Sequence, residues 1–218
     1  MSLIHRYIAI EGPIGVGKTS LAELLAREFD ARLILEQVED NPFLSYFYSD
    51  RKRYAFQTQI FFLLSRYRQQ QELSQQDLFN RVTITDYIFL KDRVFAYVNL
   101  DENEIALYEQ IYSMLDEKIT KPDLVIYLTA STDVIIERVK QRGREYEKGI
   151  TREYVEELNE MYNNFFFNYS ETPLLVINTS EIDFIKHNED LRDLARHIRK
   201  MRGGTLYYRP MSLRQEMK

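Results

Sequence analysis

The chain has 218 residues, which suits one domain or one domain with a lid. Its hydrophobic fraction of 44% supports a buried core, and its net charge of −5 argues against a general nucleic-acid binder. With no cysteine in the chain, disulfides, thiolate nucleophiles and cysteine-ligated metals are excluded, and a reducing, cytoplasmic setting is expected. His5, His187 and His197 have no partner at metal-ligand spacing. No apolar run nears the roughly 18 residues of a membrane span. No apolar signal region precedes the first predicted strand.

Tyr7–Glu11 (YIAIE) is short and apolar and runs into a glycine-rich turn, the pattern of a buried parallel strand. Lys18–Phe29 follows with helical spacing through Leu21, Leu24 and Leu25. Residues 32–36 (RLILE) predict a second strand, and Asn41-Pro42 a helix start with Asn as cap and Pro in the first turn. Residues 54–78 predict a long helix and 81–86 (RVTITD) a third strand. Residues 102–119 are helical until Lys121-Pro122 stops them, and 123–129 predict a fourth strand. Thr132–Arg142 and residues 151–169 are helical, Leu174–Asn178 is a fifth strand, and a last helix covers 189–201. The alternation predicts an α/β fold, a five-stranded parallel sheet flanked by helices. The domain is expected over residues 1–202, with a lid at about 138–150. Residues 203–218 read as a tail that begins at Gly203-Gly204.

Glycine is scarce, seven in all, yet three of them fall at 12, 15 and 17. Gly12-Pro13-Ile14-Gly15-Val16-Gly17-Lys18-Thr19-Ser20 contains the full G-x-x-x-x-G-K-[ST] pattern between a predicted strand and helix. Backbone N–H groups in such a loop point at phosphate oxygens, and the following helix N-terminus adds positive dipole. Lys18 is expected to reach the β and γ phosphates of ATP, and Thr19 to ligate Mg²⁺. A guanine-reading N-K-x-D is absent, so a GTPase is not indicated.

Arg138-Val139-Lys140-Gln141-Arg142-Gly143-Arg144 fits the arginine-rich lid of small-molecule kinases. Arg138 and Arg142 share a helix face, and Arg144 follows a glycine where the chain can turn back. Three guanidiniums on one spot need an anion between them, and phosphate is a natural one. The alternative is a solvated basic helix end, with Glu137, Glu145 and Glu147 as its counter-charges. Phosphoryl transfer to a hydroxyl also needs an acceptor-side base. Glu36 and Asp86 both end predicted strands, where ligands sit in open α/β sheets. Asp86 is expected on the Mg²⁺ side, while Glu39 and Asp40 look like helix-entry charges. On the long helix, Phe56, Gln59, Leu63 and Arg66 form one stripe. Its amide and guanidinium either pair with a planar ligand such as a nucleobase or reach water at the helix edge.

Taken in order, the segments IEGPIGVGKT, LEQVEDNPFLSYFY, YAFQTQIFFLLSRYR, ITDYIFLKDRVFA, KPDLVIYLTAS and RVKQRGREYEKGI resemble the bacterial deoxynucleoside kinases, in the deoxyguanosine/deoxyadenosine kinase branch. The resemblance covers roughly residues 6–200 and implies a P-loop kinase fold, ATP with Mg²⁺, a purine deoxynucleoside and a homodimer. It implies that Glu36 accepts the proton of the 5′-hydroxyl. Tyr48 and Glu147 would hold the 3′-hydroxyl, and Gln59 the base edge with Arg66 nearby. Arg138, Arg142 and Arg144 would act as lid arginines and Asp86 on the metal side. One departure stands out. The family's acid-Arg-Ser is here Asp86-Tyr87-Ile88, so Lys91 or a rotated Tyr87 would have to replace the arginine. The Asp-Tyr form with a downstream lysine resembles the deoxyguanosine kinase subgroup more than the deoxyadenosine one, which implies deoxyguanosine as substrate. Deoxyadenosine or broad specificity, a nucleoside monophosphate kinase and a non-catalytic nucleotide-binding module are the alternatives.

Overall fold

In the computed structural model, residues 3–75, 82–180, 182, 184 and 188–210 are described. Six parallel strands form one sheet in the order β2-β3-β1-β4-β5-β6. They are β1 (Tyr7–Glu11), β2 (Arg32–Ile34), β3 (Thr83–Thr85), β4 (Leu124–Thr129), β5 (Leu174–Asn178) and β6 (Thr205–Tyr208). The helices are α1 (Lys18–Phe29), α2 (Leu44–Ser49), α3 (Arg51–Gln75), α4 (Lys91–Asn99), α5 (Glu102–Asp116), α6 (Thr132–Arg142), α7 (Arg152–Phe167) and α8 (Asn188–Lys200).

The apolar run of β1 is explained by its central place, with every residue buried. Side chains alternate across the pleat. Ile8 and Ile10 join α1 and α8 in one core layer, while Tyr7 and Ala9 face Tyr162 and Phe166 of α7 in the other. Each fully buried isoleucine contributes about 1.5–3 kcal/mol relative to an exposed one. A third apolar cluster joins α3, α4, α5 and α7 beside the carboxyl ends of the strands. Local signals set the helix ends. Asp101 and Glu104 close a capping box on α5, and Thr151 caps α7.

The sheet has six strands rather than five. Gly204 takes a left-handed φ of 71° and turns the chain back beside β5, so that Leu174 pairs with Thr205 and Ile177 with Tyr208. The TLYY segment, β-branched and aromatic, therefore belongs to the sheet and not to a tail. Strands β2 and β3 are shorter than predicted, which leaves Glu36 and Asp86 in the loops just past them. The helix near Asn41 starts later, at Leu44. Asn41 is buried instead, accepting from Phe43 N (3.0 Å) and donating to Thr58 O (3.1 Å). Helix α4 has no counterpart in the sequence reading, because its first turn buries Lys91 and Asp92 and so breaks the apolar period. Arg81, residues 76–78 of the predicted long helix, His187 and residues 211–218 lie outside the described residues.

Candidate active site

The loop after β1 turns sharply enough to need glycine. At Gly12, φ is 152° and a Cβ would lie 2.4 Å from the Leu128 carbonyl oxygen. Arg138 donates to Val16 O (3.1 Å), Thr179 Oγ1 (2.9 Å) and Thr179 O (2.7 Å), which ties α6 to the tip of the loop and the end of β5. Lys18 Nζ reaches back to Gly12 O (2.8 Å) and Pro13 O (3.0 Å). Burial, with Lys91 adding to it, pushes the Lys18 ammonium down to about 8, against the pull of Glu11, Glu36 and Asp86. Thr19 Oγ1 donates to Asp86 Oδ2 (2.6 Å), and Asp86 Oδ1 accepts from Glu36 N (2.7 Å).

Two cavities meet at this loop. One, of about 550 Å³, is lined by Gly15, Gly17, Lys18, Arg138, Arg142 and Arg144 among others. The second, of about 420 Å³, is lined by Lys18, Glu36, Tyr48, Gln59, Arg66 and Glu147 among others. Lys18, Thr19, Arg142 and Arg144 line both, so a phosphate held there would face the two cavities at once.

The second cavity is built round a buried polar relay. Glu36 Oε1 accepts from Arg66 Nε (2.8 Å) and Nη2 (2.5 Å), and Oε2 from Lys91 Nζ (2.7 Å). Arg66 Nη1 reaches Asp92 Oδ2 (2.5 Å). Gln59 Nε2 donates to Asp92 O (2.9 Å) and to the Asp92 carboxylate. Burial raises the Glu36 pKa, but the Lys91 and Arg66 cations overcome it and hold the carboxyl far below the usual range. For Asp92, which is fully buried, burial wins over Arg66 and the carboxyl is pushed up. Gln59 and Arg66 are both buried in the cavity lining and do not reach water at the helix edge. They are paired with Asp92, a residue the sequence reading did not single out.

The lid residues lie close by, each held by a protein oxygen. Arg142 makes a two-pronged pair with buried Glu147, with Nη2 to Oε1 at 2.5 Å and Nε to Oε2 at 3.1 Å. Arg144 Nη1 donates to Tyr146 OH (2.8 Å), and its Nη2 stands 3.7 Å from Glu39. The three guanidiniums thus share one cavity wall without meeting at a point. Glu147 answers Arg142 as its counter-charge, whereas Glu145 pairs with Lys148. The chain after Glu147 runs against α2, where a Cβ at Gly149 would fall 2.6 Å from the Tyr48 carbonyl oxygen. Tyr48 and Tyr146 stack with ring centres 6.5 Å apart over the cavity.

Residues 8–202 match the family described as Deoxynucleoside kinase. The chain belongs to that family.

Among its relatives, a deoxyguanosine kinase of Bacillus subtilis is 36% identical over 200 residues, covering 89% of this chain and 97% of its own. A deoxyadenosine kinase of Dictyostelium discoideum is 37% identical over 186 residues, covering 83% and 75%. A solved deoxyadenosine kinase of M. mycoides with bound dATP superposes with a TM-score of 0.77 at 29% identity, over 89% of this chain and 99% of its own. The reaction is accordingly phosphorylation of a deoxynucleoside, and the fold is that of a nucleoside kinase.

Within this kinase the departure at Asp86-Tyr87-Ile88 has a clear geometric outcome. Tyr87 is fully buried, its hydroxyl has no hydrogen-bond partner among the described residues, and it lines neither cavity described above. Lys91, four residues further on at the start of α4, donates to Glu36. For a magnesium ion, the hydroxyl of Thr19 and the carboxylate of Asp86 form a hard oxygen pair at the cavity wall. That suits an ion that takes most of its ligands from water and substrate phosphates. Among the described residues no group of three His, Asp or Glu could form an all-protein metal cage. No described helix is long and apolar enough to cross a membrane.

Proposed function

We propose that this kinase moves the γ-phosphoryl of Mg·ATP to the 5′-hydroxyl of a purine deoxynucleoside, with deoxyguanosine preferred. The observation that carries the reading is the relay from Gln59 through Asp92 and Arg66 to Glu36 and Lys91. Its inner end offers a permanently ionised carboxylate to the hydroxyl, beside the loop that would hold the phosphates. Thr19 and Asp86 would hold Mg²⁺, which when bound supplies charge neutralisation between phosphate oxygens. Lys18, Arg142 and Arg144 add positive charge on the side where charge develops in transfer. Arg138 supports them by bracing the loop at Val16. Tyr48 and Glu147, which line the cavity, would hold the 3′-hydroxyl.

At the relay's outer end Asp92 takes both amide protons of Gln59, which leaves the Gln59 carbonyl as an acceptor on the cavity wall. It would accept the N1–H of guanine or the N6–H of adenine, so the preference for guanine rests on the Asp86-Tyr87 form with Lys91 downstream and on the likeness to a deoxyguanosine kinase. Relatives named for deoxyadenosine favour the second reading, deoxyadenosine or a broader range. Coupled ADP release with deoxyguanosine, deoxyadenosine, deoxycytidine and thymidine, each alone, decides it. Deoxyguanosine should give the highest kcat/KM. A higher value for deoxyadenosine overturns the preference, and turnover only with a nucleoside monophosphate overturns the acceptor.

Lys91 takes the place of the family arginine in this reading. Lys91→Ala should lower kcat by roughly 10- to 100-fold, whereas Tyr87→Phe, which removes a partnerless hydroxyl, should turn over like the parent. The reverse order in steady-state kinetics would assign the role to Tyr87. The reading also includes a homodimer, for which Leu107 and Met114, exposed on one face of α5, offer apolar surface.

A further inference from the structure

Glu11, the last residue of β1, is fully buried, and among the described residues no cation lies within ion-pair distance of it. Such a charge is costly unless hydrogen bonds replace its water. Three do, and all are donated to it. Oε1 accepts from Gly12 N (2.8 Å) and Tyr162 OH (3.1 Å), and Oε2 accepts from Ile88 N (3.0 Å). No acceptor faces either oxygen in these bonds, so the position suits a carboxylate and not an amide, whose NH₂ would oppose a donor. The two backbone amides belong to different halves of the site. Gly12 opens the phosphate cradle, and its carbonyl receives Lys18. Ile88 opens the turn into α4, where Lys91 N bonds Ile88 O (3.2 Å), and α4 carries Lys91 and Asp92. Asp86 spans the same gap from the other side, through Thr19 and the Glu36 amide.

We propose that Glu11 is a positioning residue for phosphoryl transfer: its carboxylate clamps the first amide of the phosphate cradle to the turn that leads into α4, fixing the spacing between donor phosphates and acceptor relay. Transfer falls steeply when reacting groups are displaced by about 1 Å, so the clamp acts on kcat.

The proposal rests on reading the cradle as the ATP site. ATP-dependent turnover of the wild-type chain, with whichever deoxynucleoside is used best, tests that reading separately. Glu11→Gln keeps volume and removes the charge. Its kcat should fall by roughly 10- to 100-fold with little change in deoxynucleoside affinity. A wild-type kcat per folded molecule, or a fall in kcat matched by an equal loss of deoxynucleoside affinity, would reduce Glu11 to a structural role and overturn the proposal. If Glu11→Gln does not fold, Glu11→Asp keeps the charge but draws it back by one methylene. A lowered kcat with unchanged deoxynucleoside affinity then supports the clamp, and a wild-type kcat overturns it.

Discussion

Replacing Glu36 by Gln should lower kcat by roughly 10²- to 10⁴-fold, while deoxynucleoside binding measured by calorimetry stays close to that of the parent. The geometry gives the reason. Glu36 lines the second cavity, and Arg66 and Lys91 hold both of its oxygens. Those cations keep it ionised at any working pH, against the pull of burial. A carboxylate held so low is a poor base in its ground state, so its work is to align the hydroxyl and take the proton late. The loose transition state of phosphoryl transfer asks for little more. The pH profile should show it. No acid limb from Glu36 should appear in kcat/KM above about pH 4, the unperturbed carboxylate range. The limb expected is alkaline and belongs to Lys18, whose ammonium is pushed down to about 8. A near-normal kcat in Glu36→Gln would take that residue out of the acceptor role.

The Arg66→Leu variant should lose both stability and turnover. Arg66 is the only described cation between Glu36 and Asp92, and its side chain is 4% exposed against 9% and 0% for theirs. Removing one partner of a buried pair costs about 3–5 kcal/mol, because it strands the other charge. Glu36 keeps Lys91, so the stranded group is Asp92. The sign of the pH dependence follows. Asp92 already has a raised pKa from burial, and without Arg66 it rises further. A raised carboxyl costs stability when ionised and regains it as acid protonates it. The gap in Tm between wild type and Arg66→Leu should therefore be widest at alkaline pH and narrow as the pH falls. A gap that is constant with pH would mean that Arg66 stabilises through packing alone. Turnover should fall with stability held constant, since the same guanidinium joins base reading to the Glu36 carboxylate.

The parts of this architecture that follow local rules could be read from the chain. The strand–glycine turn–helix from Tyr7 to Phe29, the capped helix α6 and strand β5 lie where hydrophobic period and turn chemistry place them. The parts that were missed depend on distant partners. Helix α4 buries Lys91 and Asp92 in its first turn, and a lysine beside an aspartate reads as surface until Glu36, Arg66 and Gln59 are seen around them. The stripe of Gln59 and Arg66 on α3 did signal a buried polar feature. What answered it was an aspartate, 26 residues beyond Arg66, that no spacing rule connects to it. Strand β6 was missed because Gly203-Gly204 reads as an ending, whereas pairing with β5 makes it a turn. The Glu11 carboxylate had a signal of its own, a charged residue closing an otherwise apolar strand.

The central position of β1 also has a bearing on how the chain acquires its nucleotide site. Tyr7 pairs with Thr83 and Ile8 with Leu124, so the first strand of the chain is flanked by strands that come much later. The cradle itself leans on Leu128, Arg138 and Thr179, later still. Parallel pairings of such long sequence separation close slowly. The phosphate loop is thus written early in the chain yet becomes a binding site only near the end of folding. ATP, which binds the folded state, should then slow unfolding more than it speeds folding.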